Sequence, residues 1–178
     1  MGILLTIVYI IGSIIVLFLL VAALTKKEFS LEKNIVINRP KQDVFNYAKL
    51  LKNQEYYSVW VMKDPNIKLV YTGIDGTVGA GSAWESNDKN VGIGAQEIIE
   101  MKDGESIKTE IRFKKPFEGT NYAVNLLTDI GGGQTKFSQV FSGRTKFPMN
   151  VINLMMDKML GKDMQKNLEN MKNNLEKK

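Results

Sequence analysis

The sequence predicts an α+β fold: a seven-stranded antiparallel sheet curled around a long C-terminal helix, with a transmembrane helix at the N-terminus. Three observations predict it. Residues 3–24, ILLTIVYIIGSIIVLFLLVAAL, carry no charge over a length that suits a bilayer. Between 67 and 144, short apolar runs alternate with glycine-rich and Asp-Gly turns, the pattern of successive antiparallel strands. From Pro148 onward Met149, Ile152, Met156, Leu160, Met164, Leu168, Met171 and Leu175 recur at helical spacing.

The 22 positions of 3–24 rise about 33 Å as a helix, against a hydrocarbon core of roughly 30 Å. Thr6, Tyr9 and Ser13 are their only polar side chains, and a helix hydroxyl bonds to its own backbone. A cleaved signal peptide wants a basic start, a shorter apolar core and a small-residue cleavage site. No Lys or Arg precedes this core, the apolar core is too long, and Val21-Ala22-Ala23 is only a passable cleavage site. Residues 1–25 are therefore expected to be an uncleaved, single-pass membrane anchor, and 26–178 the folded domain. Lys26 and Lys27 follow the span directly, with Lys33, Arg39 and Lys41 soon after. The positive-inside rule then places the domain in the cytoplasm.

The domain begins with a strand over 29–38. Pro40, whose missing N–H costs nothing at a helix start, opens a helix with Val44, Phe45, Tyr47, Ala48 and Leu51 on one face. A second short helix or turn is expected over 53–61. Six strands follow, over 67–72, 82–87, 91–101, 106–114, 120–130 and 135–144. The fourth of these six alternates most cleanly: Ile107, Thr109, Ile111 and Phe113 against Lys108, Glu110, Arg112 and Lys114. Such a sheet must cover its apolar face. The terminal helix is the only element large enough, and its Lys- and Asn-rich remainder is expected to face solvent.

Composition limits the chemistry. The chain has no cysteine and no histidine. There is thus no disulfide, no thiolate nucleophile and no imidazole base or ligand. No metal site and no cofactor are expected; Asp75, Asp88 and Asp103 lie in turns, where Asp bonds its own backbone. The glycines of GIDGTVGAG, residues 73–81, precede a strand rather than a helix and lack a following Lys-Ser/Thr, so turn geometry explains them. The net charge of +5 is interspersed with acids, so nucleic acid is not an expected partner.

The stretch MNVINLMMDKMLGKDM, residues 149–164, holds five of the nine methionines. Methionine fills irregular space. Its face is expected to look into the concave sheet, where Met155, Met156 and Met159 join Trp60, Tyr71, Trp84, Phe113, Tyr122, Phe137 and Phe141 around an apolar, ligand-sized pocket. Glu97 shares strand parity with Val91, Ile93 and Ile99 and is read as a candidate inward carboxylate. Arg144 is a candidate for a ligand carboxylate.

The order of elements resembles the START/Bet v 1-like (SRPBCC) superfamily, in its polyketide cyclase/dehydrase and lipid transport branch. Three segments carry the resemblance: INRPKQDVFNY, Trp60 after the second helix, and DGTVGAGSAWES with GAQEIIEMKDGESI. The resemblance implies a helix-grip fold over about 29–175 and a cavity for a lipid or other hydrophobic small molecule. No catalytic residue transfers with it. The leading expectation is a membrane-anchored binding or transport domain. The alternatives are a cyclase- or dehydratase-like enzyme acting through Glu97 or Arg144, and an interaction or stress-response module with a filled core.

Overall fold

The computed structural model describes residues 2–177. The elements are α1 (Gly2–Leu24), β1 (Glu28–Ile37), α2 (Lys41–Ala48), a 3-10 helix (Leu51–Tyr56), α3 (Val59–Lys63), β2 (Lys68–Thr72), β3 (Gly81–Glu85), β4 (Ile93–Lys102), β5 (Ser106–Lys115), β6 (Gly119–Gly131), β7 (Gln134–Arg144), a 3-10 helix (Met149–Met155) and α4 (Met156–Glu176). The seven strands form one antiparallel sheet in the order β1-β7-β6-β5-β4-β3-β2. Successive strands from β2 to β7 are neighbours, as tight turns require, and β1 returns to close beside β7. At the β4–β5 turn Gly104 takes φ +65°, which a side chain would resist, and Glu105 N–H bonds Lys102 C=O at 2.9 Å.

The expected single helix from Pro148 is broken. Residues Met149–Met155 wind as 3-10, and the α-helix starts at Met156. The apolar stripe then holds over Met164, Leu168, Met171 and Leu175, all buried, joined by Gly161 and Asn167. Gly161 sits where a Cβ would meet the side chains of Asp157 and Lys33, so the helix comes close to β1 there.

Polar bonds pin α4 along both flanks. On the β1 side Lys33 pairs with Asp157 at 2.7 Å, Lys172 Nζ donates to Val36 C=O at 2.7 Å, and Glu176 accepts Asn38 N–H at 2.6 Å. These bonds cover an edge strand that would otherwise be open to pairing. On the other flank Asn167 Oδ1 accepts Val59 N–H at 2.7 Å. Asn170 donates to Tyr57 C=O at 3.1 Å and Asn174 to Tyr56 C=O at 2.9 Å. The Asn-rich face is thus not simply solvated: its amides hold the backbone that leads into α3.

Strand register divides the sheet into two ends. At one end Val44, Phe45 and Ala48 of α2 and Leu168, Met171 and Leu175 of α4 pack on Ile37, Ile98, Ile107, Leu127 and Phe137. That end is a filled core. The other end holds the start of β1 and the end of β7, paired at Glu28 and Arg144, and α1 joins there.

α1 stands apart. Its apolar side chains are exposed along its length, and Ala22 is its one buried residue. It is therefore no core helix, and at 23 residues it is long and apolar enough to cross a membrane. Thr6 and Ser13 hydroxyls donate to Gly2 and Tyr9 carbonyls four residues back, at 3.0 and 2.8 Å.

Because Phe137 is 1% exposed inside the packed core, Phe137→Ala leaves a void there. The expected loss is about 3–5 kcal/mol of unfolding free energy. Thermal or urea unfolding of the detergent-solubilised chain, followed by circular dichroism, measures it.

Candidate functional site

The half of the sheet nearer α1 is hollow. Inward-facing residues line up across it in rows fixed by register. Leu69, Trp84, Gly94 and Phe113 form one row, and Tyr71, Ser82, Gln96 and Ile111 the next. Thr109, Ala123 and Phe141 form another, and Asn125 pairs with Gln139 beside it. Tyr57, Trp60, Val61, Leu160, Met164 and Asn167 close the space from α3, its approach and α4. They enclose a cavity of about 240 Å³.

The cavity is apolar at its walls and carries a belt of neutral polar groups. Gln96 Nε2 donates to Ser82 Oγ at 2.9 Å and to Gln54 Oε1 at 2.7 Å. Gln139 Nε2 donates to Asn125 Oδ1 at 3.1 Å. Among the described residues, no Asp, Glu, Lys or Arg lines the space. Its ionisable groups are two tyrosines. Burial holds the Tyr57 phenol above its ordinary pKa. Burial also raises Tyr71, helped by its hydrogen bond to the Glu55 carboxylate at 2.7 Å. Both stay protonated donors near neutral pH.

Two arrangements shape the end nearer α1. The Trp84 indole lies across Gly94, where a Cβ would run into the ring. It meets Phe113 edge-on at 5.7 Å, and its Nε1 donates to Val91 C=O at 3.3 Å. At the rim, Asp64 ties the α3–β2 loop to the β3–β4 loop by accepting from Ser86 Oγ and from the N–H groups of Asn66 and Asn87. The Ser86 hydroxyl, then the Asn66 N–H, hold the Asp64 carboxyl below the usual range.

Of the residues expected around the pocket, Trp60, Tyr71, Trp84, Phe113 and Phe141 line the cavity. Tyr122 does not. It lies on the outer face of β6 opposite Glu110 and Ser142, with Lys108 over its ring. Phe137 belongs to the packed core at the far end. Met155 and Met159 are about half exposed, at 51% and 49%, and Met156 is half-buried without reaching the cavity. The 3-10 segment takes Met155 off the stripe, Met159 lies five residues from Met164 on another face of α4, and Leu160, Met164 and Asn167 carry the helix face inward.

Glu97 points outward too. Ile93, Ala95 and Glu97 do share one face in the regular pairing with β3, but it is the outer face: Gly94, Gln96 and Ile98 turn inward, and Val91 precedes the strand. Glu97 pairs instead with Arg112 at 3.1 Å on the outer face, and Arg112 also holds Glu110 at 2.6 Å. Arg144 is exposed in an open groove with Lys27, Lys146 and Phe147. Sequence reasoning missed Gln54, Ser82, Gln96, Thr109, Asn125, Gln139 and Asn167. On β6 the inward parity reads Asn121, Ala123, Asn125 and the outward one Tyr122, Val124, so hydrophobicity alone inverts the faces.

Fold and hollow together define a helix-grip domain with an internal cavity. Residues 28–176 match the family described as polyketide cyclase / dehydrase and lipid transport, and the chain belongs to it. No curated protein matches the chain. Among solved structures, norcoclaurine synthase of Thalictrum flavum in complex with dopamine and hydroxybenzaldehyde shares 8% identity over 86% of this chain and 90% of its own, at TM-score 0.65. Ara h 8.0201 shares 13% over 85% and 99%, at 0.56. Protein CV1439 of Chromobacterium violaceum shares 16% over 83% and 96%, at 0.56. These likenesses establish the fold.

Two outcomes follow from the rim and the indole. Gly94→Ala pushes the Trp84 ring off its seat and breaks its bond to Val91; in a Trp60→Phe background the single remaining indole is expected to shift its emission. The lowered Asp64 pKa stabilises the rim above the ordinary Asp value of about 3.9, and that contribution is lost as pH falls through the folded value. Hydrogen exchange at the Asn87 amide, corrected for its intrinsic pH dependence, is expected to stay slow down to that range and rise below it.

Proposed function

We propose that the chain is a membrane-anchored binding domain (anchor 1–25, domain 26–178) for a slim hydrophobic molecule with one neutral hydrogen-bonding group, such as an ester, amide, ketone or alcohol. The carrying observation is the cavity of about 240 Å³ without a charged side chain on its walls. A carboxylate or ammonium held there would be buried without a counter-charge, at a cost of several kcal/mol. A neutral polar group meets amides that both donate and accept. The volume lies just under the roughly 300 Å³ at which pockets for drug-sized ligands begin. It suits one chain or a small ring system and not a two-chain lipid.

The anchored reading is supported by the grip on the end of α1. Asn150, buried to 0% exposure, gives its amide protons to Ala22 C=O and Thr25 C=O, each at 2.7 Å. Cleavage after Ala23 would strip one of these bonds from a buried side chain. Lys26 and Lys27 favour a cytoplasmic domain by the positive-inside rule. The open cavity favours a binding domain over an interaction module with a filled core. The cyclase- or dehydratase-like alternative has Glu97 and Arg144 outside the cavity.

The test is mass spectrometry of solvent extracts from the full chain purified in mild detergent. A neutral, mainly apolar compound is expected with the parent chain and lost from Ala123→Trp, which fills the hollow. Gln96→Leu removes one bond to the polar group and is expected to weaken binding about tenfold, from roughly 1–2 kcal/mol. A parent chain that yields no compound and takes up no neutral apolar probe overturns the proposal.

A further inference from the structure

The end of the domain next to α1 carries an apolar surface that none of the described residues covers. Phe147 is 49% exposed, Met149 54%, Leu154 68%, Met155 51% and Met159 49%. The first four belong to the segment that joins β7 to α4, and Met159 to the first turn of α4. Phe117, 73% exposed, sits in the β5–β6 turn, which register places at the same end of the sheet.

Two further observations bear on what covers this surface. The first is attachment. Asn150 holds Ala22 and Thr25; Asn153 Nδ2 donates to Lys26 and Lys27 carbonyls at 3.0 and 3.1 Å; and Thr145 N–H bonds Lys27 C=O at 2.8 Å. The apolar segment is thus fixed against the last turn of α1. If α1 crosses a bilayer, these residues sit at its surface. The second is charge. Lys26, Lys27, Arg144 and Lys146 stand among the exposed apolar residues. Glu28, opposite Arg144 in register, and Glu118 share that end, which leaves it basic.

We propose that this end is a membrane-docking surface: the 147–159 segment and the β5–β6 turn sink into the headgroup region of the leaflet that α1 leaves, with the basic residues on its anionic lipids. The docking turns the cavity's mouth toward the bilayer. The half-exposed lining residues Trp60, Val61, Ile67 and Leu160, with exposed Asn90, lie on α3, the loops flanking β2 and β3, and the start of α4. Those loops adjoin the starts of β2 and β4 and the end of β3, at the sheet end that also bears α1. A bilayer-dissolved ligand then enters without crossing water. This inference rests on α1 being membrane-spanning.

The chain has no cysteine, so single nitroxide labels report cleanly. Labels at Leu154→Cys, Met155→Cys and Phe117→Cys, in the full chain in phosphatidylcholine/phosphatidylglycerol vesicles, are relaxed by oxygen or by a water-soluble nickel chelate. Ile11→Cys marks the anchor and Ile74→Cys the opposite end of the domain. Oxygen is expected to dominate at 11, 154, 155 and 117, and nickel at 74. A label at 11 in lipid with 154 and 155 as wet as 74 overturns the docking and leaves the anchor standing. A wet label at 11 overturns both. The Leu154 label is expected to lie deeper with phosphatidylglycerol than in phosphatidylcholine alone; equal depth overturns the electrostatic part.

Discussion

The position of α4 against the sheet is the constraint on which the other features depend. Its apolar stripe alone would let the helix slide or roll, because a hydrophobic contact has no direction. The polar bonds along its flanks remove that freedom. Lys33, Val36 and Asn38 hold it on the β1 side, and the carbonyls of Tyr56 and Tyr57 with the N–H of Val59 hold it on the other. Such bonds each contribute on the order of 1 kcal/mol. Together they set the one register in which Met171 and Leu175 fill the far end while Leu160 and Met164 stop short of the sheet at the near end. The hollow is the space left by that register.

The hollow also explains how much of this structure was legible. Seven strands, their order of appearance and the terminal helix follow from alternation, turn residues and period; each strand lies within a few residues of its expected place, and the helix becomes α only at Met156. These signals are local. The cavity walls were only half legible. Where the interior is packed, inside means apolar, and Ile107, Leu127 and Phe137 obey. Where the interior is hollow and carries amides, inside includes Asn125, Gln139 and Gln96, while Tyr122 and Val124 face out. Parity of hydrophobicity then assigns the wrong face.

Two further misreadings concern Glu97 and the methionines. Glu97 does share a strand face with Ile93, as the regular pairing of β4 with β3 shows, but Gly94, Gln96 and Ile98 turn inward and leave that face outside. The methionine run was extended through Pro148 as a continuous α-helix. A 3-10 stretch rises faster and turns more tightly, so Met155 leaves the stripe that Met164 keeps; Met159, inside α4, lies five residues from Met164 and so faces another way. No local signal in MNVINLMM separates these winds. Asn150 and Asn153 do so only through α1, which is more than a hundred residues away in sequence.

Only Thr25, Lys26 and Lys27 lie between the end of α1 and the start of β1. Three residues reach about 10 Å even when extended, and here their carbonyls are already held by Asn150 and Asn153. On the proposed reading, in which α1 spans a bilayer and the hollow holds a ligand, a domain so tethered is no ferry: it has no slack to cross an aqueous gap or to swing toward a distant soluble acceptor. On that reading, what it takes up is handed over on the spot, to the leaflet itself or to a partner that comes to the membrane.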